Sequence, residues 1–213
     1  MTDVLSYLDS MAHGVVPIVG SGKQYKSGTM YALLSVLPSL RARKKAFYKF
    51  PAVRELFPSF VRGYPVDNLW DVEPGSILVI EDANRVFPSR ASSKVVDLQE
   101  FLGVISHKDI LVFVTVQNTS NTDLAFFRDQ DIVFLHKRMS PVGIQYEREE
   151  LQHHCSIANI IIETTAQREN VNPLMVTYVP RFASTIVIDD PPSWYGFAQS
   201  HALRDYDPRL VVS

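Results

Sequence analysis

The chain has 213 residues, of which 46% are hydrophobic and 21% are charged, and its formal net charge is −2. This composition predicts a globular protein with one sizeable core, and the near-neutral charge argues against a protein that coats nucleic acid along a basic surface. The single cysteine, Cys155, excludes an intrachain disulfide framework and a cysteine-based zinc site, and it fits a reducing compartment. Residues 1–11 lack the basic residues of a signal peptide, and no apolar run approaches the roughly 18–20 residues that span a bilayer. We therefore expect no stable membrane insertion.

Short apolar runs alternate with helical patterns along the chain, as in a mainly parallel α/β sheet. In chain order the runs are residues 15–19, 46–50, 77–80, 110–116, 132–135, 174–179 and 185–188. Several of them are β-branched and apolar on both faces, which is typical of buried parallel strands. The pattern predicts an α/β fold with helices on both sides of the sheet.

The helical patterns lie between these runs. Apolar residues over 30–37 have the spacing of one helix face, and Pro38 would end that helix. Residues 95–105 and 147–167 also predict helices. Residues 57–75 have no clear period and predict an irregular connection between two strands.

A segment rich in glycine and lysine joins the first predicted strand to the first long predicted helix. Its residues are Gly20, Ser21, Gly22, Lys23, Gln24, Tyr25, Lys26 and Ser27. P-loop NTPases have the pattern G-x-x-x-x-G-K-[ST], the Walker A motif, at such a junction. Backbone amides and the helix N-terminus would bind the phosphates of ATP, Lys26 would bridge the β- and γ-phosphates, and Ser27 would ligate Mg²⁺.

Tyr25 departs from this pattern because it occupies the place of the second glycine, where the backbone often needs a conformation that a Cβ disfavours. A register over residues 22–29 would put Gly28 at the lysine position, so it explains less. Lys23 is a candidate second cation for the phosphates. A strand–helix turn that binds nothing is the alternative interpretation.

Two acids and an amide follow the ends of two predicted strands. Glu81 and Asp82 come after the run 77–80, as in a Walker B motif, although the usual order is Asp then Glu. By position Glu81 would take the metal role and Asp82 would activate water. A strand one residue longer would give Asp82 the metal role and leave no base. Gln117 follows the run 110–116 and would sense the γ-phosphate. The alternative for the two acids is a solvated acidic turn, and the alternative for Gln117 is a simple cap of the following turn.

At these residues the chain resembles a known family. Residues 77–90, ILVIEDANRVFPSR, resemble the Walker B segment of the zonula occludens toxin family, and residues 110–123, ILVFVTVQNTSNTD, are similar to that family's next strand. Residues 191–195, PPSWY, followed by 200–202, SHA, resemble a closing motif of viral packaging ATPases in the FtsK/HerA-type superfamily. The similarity covers roughly residues 14–140 and, more loosely, the tail.

The resemblance implies an additional-strand P-loop fold. The chain itself is predicted to form one domain, with a P-loop ATPase core over 1–142 and a C-terminal helix and strands over 143–213 that complete it. The resemblance also implies a ring-shaped homo-oligomer that binds ATP and Mg²⁺ and translocates DNA, with double-stranded DNA and a capsid or portal-like vertex protein as partners. Packaging a viral genome into a preformed capsid is the expected function, in the host cytoplasm or with the virion. Filamentous-phage members of the toxin family carry a membrane helix, and its absence here favours the packaging branch.

Ring ATPases of this kind use an arginine from the neighbouring subunit at the γ-phosphate. The candidates are Arg85, Arg90, Arg128 and Arg138, and Arg128 is preferred because it follows the polar strand end. A surface salt bridge is the alternative for each of them.

Two other functions stay open. Tyr25 and the Glu-Asp order are compatible with a degenerate domain that binds nucleotide without turnover and serves as an assembly or scaffold subunit. A phage assembly or secretion ATPase of the zonula occludens toxin type is the third hypothesis. Elsewhere, we interpret the basic residues between 41 and 45 as a solvated turn, and residues 153–154 as an exposed helix face. We expect residues 194–195 to pack on the core.

Overall fold

The carboxyl ends of several buried strands meet at one edge of a mixed sheet, and this edge positions the candidate site. The computed structural model describes residues 3–89, 92–127, 131–188 and 190–204, with residues 92–96 described by their backbone. The strands are β1 (Gly14–Val19), β2 (Lys45–Tyr48), β3 (Gly63–Val66), β4 (Ile77–Ile80), β5 (Leu111–Val116), β6 (Leu135–His136), β7 (Val176–Val179) and β8 (Ser184–Val187). The helices are α1 (Val4–Ser10), α2 (Lys26–Val36), α3 (Pro38–Ala42), α4 (Val53–Leu56), α5 (Ala83–Val86), α6 (Ser92–Val104), α7 (Pro141–Gln145), α8 (Glu149–Glu169) and α9 (Phe197–His201).

The sheet has the strand order β3-β2-β4-β5-β1-β6-β7-β8. The strands from β3 to β6 in this order are parallel, and β7 is antiparallel to both of its neighbours. β1 lies between β5 and β6, so the segment that leaves its carboxyl end has β5 and β4 on one side and β6 on the other. In a parallel sheet this edge is where ligands bind.

Both faces of the central strands are buried. Along β1, Val16 and Ile18 pack in one apolar cluster with α2, whereas Val15 and Val19 pack in another with α6 and α8. All six residues of β1 and of β5 are buried. Helices on both faces explain why these strands are apolar at most consecutive positions rather than at alternate ones.

The α/β prediction is confirmed, and each predicted strand and long helix overlaps an observed one. Residues 57–75 are the exception, because the prediction of an irregular connection misses β3, which pairs with β2 at the sheet edge. β3 contains Pro65, and only Val66 of its four residues is buried. Proline is tolerated in edge strands, and a strand with little burial lacks the apolar signature.

The interpretation of the basic residues between 41 and 45 as a solvated turn is wrong for Arg43 and Lys45, although Arg41 and Lys44 are exposed. Lys45 is buried, and its amine donates to the carbonyls of Arg41 and Arg43. The Arg43 guanidinium donates to carbonyls of three separate segments, namely those of Met11, Gly75, Ser76 and Asp109. These cations stabilise the packing of the loops at the amino ends of the strands.

Within the described ranges, no helix combines the length and the apolar character that crossing a bilayer needs.

Candidate functional site

The candidate phosphate loop, residues 20–27, connects β1 to α2. The Gly20 amide donates to Val116 O and the Ser21 amide donates to Arg138 O, each at 3.1 Å, so β5 and the segment after β6 hold the start of the loop. In the described part of the chain, the amides of residues 22–27 donate to no backbone carbonyl. α2 begins at Lys26 without a side-chain cap. The loop therefore presents free amides and a helix N-terminus, which together favour an anion.

Tyr25 has the conformation that the motif's second glycine normally supplies. Its φ of 59° and ψ of 29° lie in the left-handed region, and Lys23 has a φ of 61°. Gly28 accommodates the tyrosine ring, since a Cβ added at position 28 would lie 2.3 Å from Tyr25 Cζ. The phenol ring thus packs over the first turn of α2. The loop has no glycine at position 25, but Gly28, three residues later, leaves room for the ring.

Lys26 lies at the centre of the loop. It is 7% exposed, and its Nζ donates to the carbonyls of Gly20 at 2.9 Å and Ser21 at 2.8 Å. Burial lowers the pKa of the Lys26 amine to about 8, and Asp82 and Glu81 oppose that shift. The ammonium therefore lies within the loop, where it can contact a phosphate oxygen by exchanging these two carbonyls for it.

Glu81 follows β4 directly and lies against α2. Its Oε2 accepts from Ser27 Oγ at 2.5 Å, and its Oε1 accepts from the Tyr31 hydroxyl. Glu81 is 7% exposed, and burial raises the pKa of its carboxyl to about 7, although the Ser27 and Tyr31 hydrogen bonds act in the opposite direction. β4 ends at Ile80, so Glu81 and not Asp82 is the acid beside Ser27.

Asp82 turns away from α2 towards β5. Its φ of 49° is left-handed, its amide donates to Thr115 Oγ1 at 2.9 Å, and its Oδ1 accepts from Gln117 Nε2 at 3.1 Å. Gln117 also borders the loop, because a Cβ added at Gly22 would lie 4.0 Å from Gln117 Oε1. The structure therefore brings the half-buried Asp82 carboxylate, Gln117 and the loop together.

The Ser27 and Glu81 oxygens fit a magnesium ion. Mg²⁺ prefers oxygen ligands and binds through one or two protein groups together with phosphate oxygens and water. Here a hydroxyl and a carboxylate from different elements converge at the start of α2, and Tyr31 fixes the carboxylate from its other oxygen. Ser27 and Glu81 would hold the ion, which would neutralise charge on the phosphates.

Four arginines are candidates for a role at a neighbouring subunit's site. Arg128, the preferred one, and Arg90 lie outside the described residues. Arg85 donates to Lys49 O, and Arg138 forms an ion pair with Glu163 at 2.8 Å. The choice among the four stays a prediction.

Several residues of the site carry no motif signal. Tyr31 is one of them, because it belongs to no motif. Its spacing of four residues from Ser27 on α2, which puts both side chains on one helix face, is a weaker signal that does point to it. Trp194 and Tyr195 pack against the Tyr31 ring, with centroids 5.5 and 5.1 Å away, which confirms the prediction of packing on the core. Ser140, whose amide donates to Ser21 Oγ at 2.8 Å, comes from a segment with no local sequence signal.

Comparison with solved structures identifies the fold. The chain is similar to the genome packaging NTPase B204 from Sulfolobus turreted icosahedral virus 2 in complex with AMP, at 12% identity and a TM-score of 0.57, covering 85% of this chain and 98% of that one. In complex with ATP-gammaS, the same NTPase gives 12% identity, a TM-score of 0.54 and coverage of 85% and 99%. The fold is that of a P-loop NTPase, as the resemblance in the sequence implied.

The N-terminal domain of zonular occludens toxin from Neisseria meningitidis also aligns with this chain. Its identity is 18%, its TM-score is 0.44, and the alignment covers 58% of this chain and 76% of that one. No family model and no curated protein matches the sequence.

Proposed function

We propose that this protein binds Mg·ATP on residues 20–27 and hydrolyses it. The observation that carries the proposal is the convergence, at one sheet edge, of free loop amides with the Lys26 ammonium, the Ser27–Glu81 pair and the Asp82–Gln117 pair. The fold supports it, because the similar solved structures include an NTPase in complex with nucleotides.

In this proposal each side chain has one role. Lys26 and the amides of the loop stabilise the β- and γ-phosphates, and Ser27 and Glu81 supply the protein oxygens for magnesium. Asp82 is the base that accepts a proton from the attacking water, and Gln117, hydrogen-bonded to that carboxylate at 3.1 Å, orients the water beside the γ-phosphate. An arginine from a neighbouring subunit, with Arg128 preferred, would complete the charge stabilisation.

We further propose that hydrolysis drives translocation of double-stranded DNA by a ring of identical subunits, as in packaging a viral genome into a capsid. The motif resemblance of residues 77–90 and 110–123 supports this, as does the similarity of fold to a protein described as a genome packaging NTPase. The near-neutral net charge is compatible with DNA contacts limited to a few loops per subunit.

The test is the steady-state rate of ATP hydrolysis for the wild type and for the variants Lys26→Ala and Asp82→Asn. Lys44→Ala is the matched control, because Lys44 is an exposed lysine that pairs with Glu73 on the surface. We expect a loss of at least a hundredfold in both site variants and an unchanged rate in the control. Equal background rates in all four proteins would refute the hydrolysis proposal.

DNA coupling needs its own measurement. We expect linear double-stranded DNA to stimulate hydrolysis at low salt and light scattering to show a closed oligomer under the same conditions. A monomer whose rate does not respond to DNA would refute translocation while leaving the ATPase proposal standing.

A non-enzymatic assembly subunit is the second candidate function. Tyr25 in the place of a glycine and the reversed order of the two acids favour it. Tight binding of a nucleotide without turnover, in the wild type and with DNA present, would establish this candidate in place of the first.

A further inference from the structure

The segment between β8 and α9 returns to α2 and places two aromatic rings beside the candidate metal site. Trp194 and Tyr195 pack against the Tyr31 ring, with centroids 5.5 and 5.1 Å away. Just after these rings, the side chain of Gln199 in α9 donates to a backbone carbonyl of α4 at 2.6 Å, which holds the segment against the body of the protein. Residues 191–195 are called the aromatic strap below.

The Tyr195 phenol lies next to both residues that would hold magnesium. Its ring packs on Tyr31, and the Tyr31 hydroxyl donates to Glu81 Oε1. Burial raises the pKa of Tyr195, the Glu81 carboxylate raises it further, and a hydrogen bond with Ser27 acts in the opposite direction. The aromatic strap is therefore a third element at the metal site, after α2 and the end of β4.

The Ser27 hydroxyl can form three contacts, because it has one proton and two lone pairs. With Glu81 ionised, as a bound cation requires, the proton is donated to Glu81 Oε2 at 2.5 Å. The hydrogen bond with Tyr195 must then use a lone pair of the serine oxygen, with the phenol as the donor. One lone pair remains, and the phenol fixes the direction in which it points.

This direction matters more for magnesium than for calcium. Mg²⁺ demands nearly ideal octahedral geometry with oxygens at about 2.0–2.1 Å, whereas Ca²⁺ accepts a larger and more flexible set of oxygen ligands. Groups that orient a metal ligand through a hydrogen bond typically contribute about 10–100-fold to metal affinity. A phenol that orients Ser27 should therefore strengthen magnesium binding without changing how the loop amides contact phosphate.

We infer that Tyr195 is a positioning residue for magnesium: its hydroxyl orients the Ser27 hydroxyl so that the remaining lone pair faces the ion. This role presupposes the proposed binding of Mg·ATP at residues 20–27, and it adds the aromatic strap to that site. Tyr195 acts through Ser27 rather than as a ligand itself.

Titration calorimetry of AMPPNP with Mg²⁺, with Ca²⁺ and in EDTA tests this role. For Tyr195→Phe we expect about tenfold weaker binding with Mg²⁺, a loss of less than about threefold with Ca²⁺, and unchanged affinity in EDTA. Tyr7→Phe is the matched control, because Tyr7 of α1 is likewise half-buried and its ring packs on another aromatic ring, that of Phe182, at 5.2 Å. It should leave all three affinities unchanged.

A double-mutant cycle with Ser27→Ala tests whether Tyr195 acts through Ser27. Once the serine hydroxyl is absent, Tyr195→Phe should change the affinity for Mg·AMPPNP by less than about twofold. A loss in that background as large as in the wild type would overturn the inference, and so would an unchanged affinity for Mg·AMPPNP in Tyr195→Phe alone.

A purely structural role of Tyr195 gives a different result, because it would weaken binding equally with Mg²⁺, with Ca²⁺ and in EDTA. That result would also overturn the inference. Failure of the proposed nucleotide binding is distinguishable from both, since the wild type itself would then bind AMPPNP under none of the three conditions.

Discussion

The contact between Tyr25 and Gly28 predicts opposite effects of Gly28→Ala in two backgrounds. The substitution should lower the free energy of unfolding when Tyr25 is present and raise it when Tyr25 is replaced by glycine. Replacing Gly28 by alanine puts a Cβ 2.3 Å from Cζ, 2.4 Å from Cε2 and 2.6 Å from Cε1 of the Tyr25 ring, so the ring must leave its place. Gly→Ala in a helix stabilises by roughly 0.5–1 kcal/mol, whereas overpacking costs about 1–3 kcal/mol. The net expectation for Gly28→Ala alone is a loss of about 1 kcal/mol in the free energy of unfolding.

In a Tyr25→Gly background the ring is absent and the same Gly28→Ala change should stabilise by roughly 0.5–1 kcal/mol. The two sites should therefore show a coupling energy of about 1–3 kcal/mol in a double-mutant cycle. Urea unfolding of the wild type, both single variants and the double variant measures it. Gly103→Ala in α6 is the control, because a Cβ there meets nothing within 4 Å, and it should stabilise equally in both backgrounds. An identical effect of Gly28→Ala with and without Tyr25 would refute the reasoning.

Three further predictions concern the groups around this site and the loops below it. Tyr31→Phe leaves Glu81 Oε1 without its buried donor, so urea unfolding should show a loss of about 1–3 kcal/mol, and unchanged stability would contradict the observed hydrogen bond. Arg43→Ala should lower the free energy of unfolding by more than about 2 kcal/mol, because it removes the donors from four backbone carbonyls. The adjacent surface change Lys44→Ala should cost less than about 1 kcal/mol. Similar losses in the two variants would contradict the role of Arg43. The pKa of Glu81 is raised from 4.5 to about 7, so between these pH values the folded protein binds a proton that the unfolded chain does not. Without nucleotide or metal, the free energy of unfolding should therefore fall by up to roughly 3 kcal/mol as the pH rises from 4.5 through 7. Glu81→Gln should remove that part of the pH dependence, and equal slopes in wild type and variant would count against it.

Much of the sheet could be predicted from the sequence because burial on both faces leaves a direct signature. The runs over 77–80 and 110–116 became β4 and β5 almost residue for residue. β3 was not predicted, because an edge strand with a proline and one buried residue has no such signature. β6 spans only two residues, so its place beside β1 comes from pairing with Ile18 and Val19 and not from a pattern of its own.

The grouping of residues at the candidate site could be anticipated where residue type and strand position together indicate chemistry. A lysine followed by a hydroxyl after a glycine-containing turn, and acids after a strand, are such cases. The compensation between Tyr25 and Gly28 was not predictable, because a glycine in a helix gives no sign of what packs on it. The contacts of Ser140 and Asn159 depend on β6 lying beside β1, which only the folded topology provides.

The most direct test of the central claim is a crystal structure with AMPPNP and Mg²⁺. In that structure, β-phosphate oxygens should lie within hydrogen-bond distance of amides from residues 22–27, and the Lys26 amine should have exchanged the carbonyls of Gly20 and Ser21 for the phosphates. A nucleotide bound elsewhere, with Lys26 still donating to those two carbonyls, would contradict it.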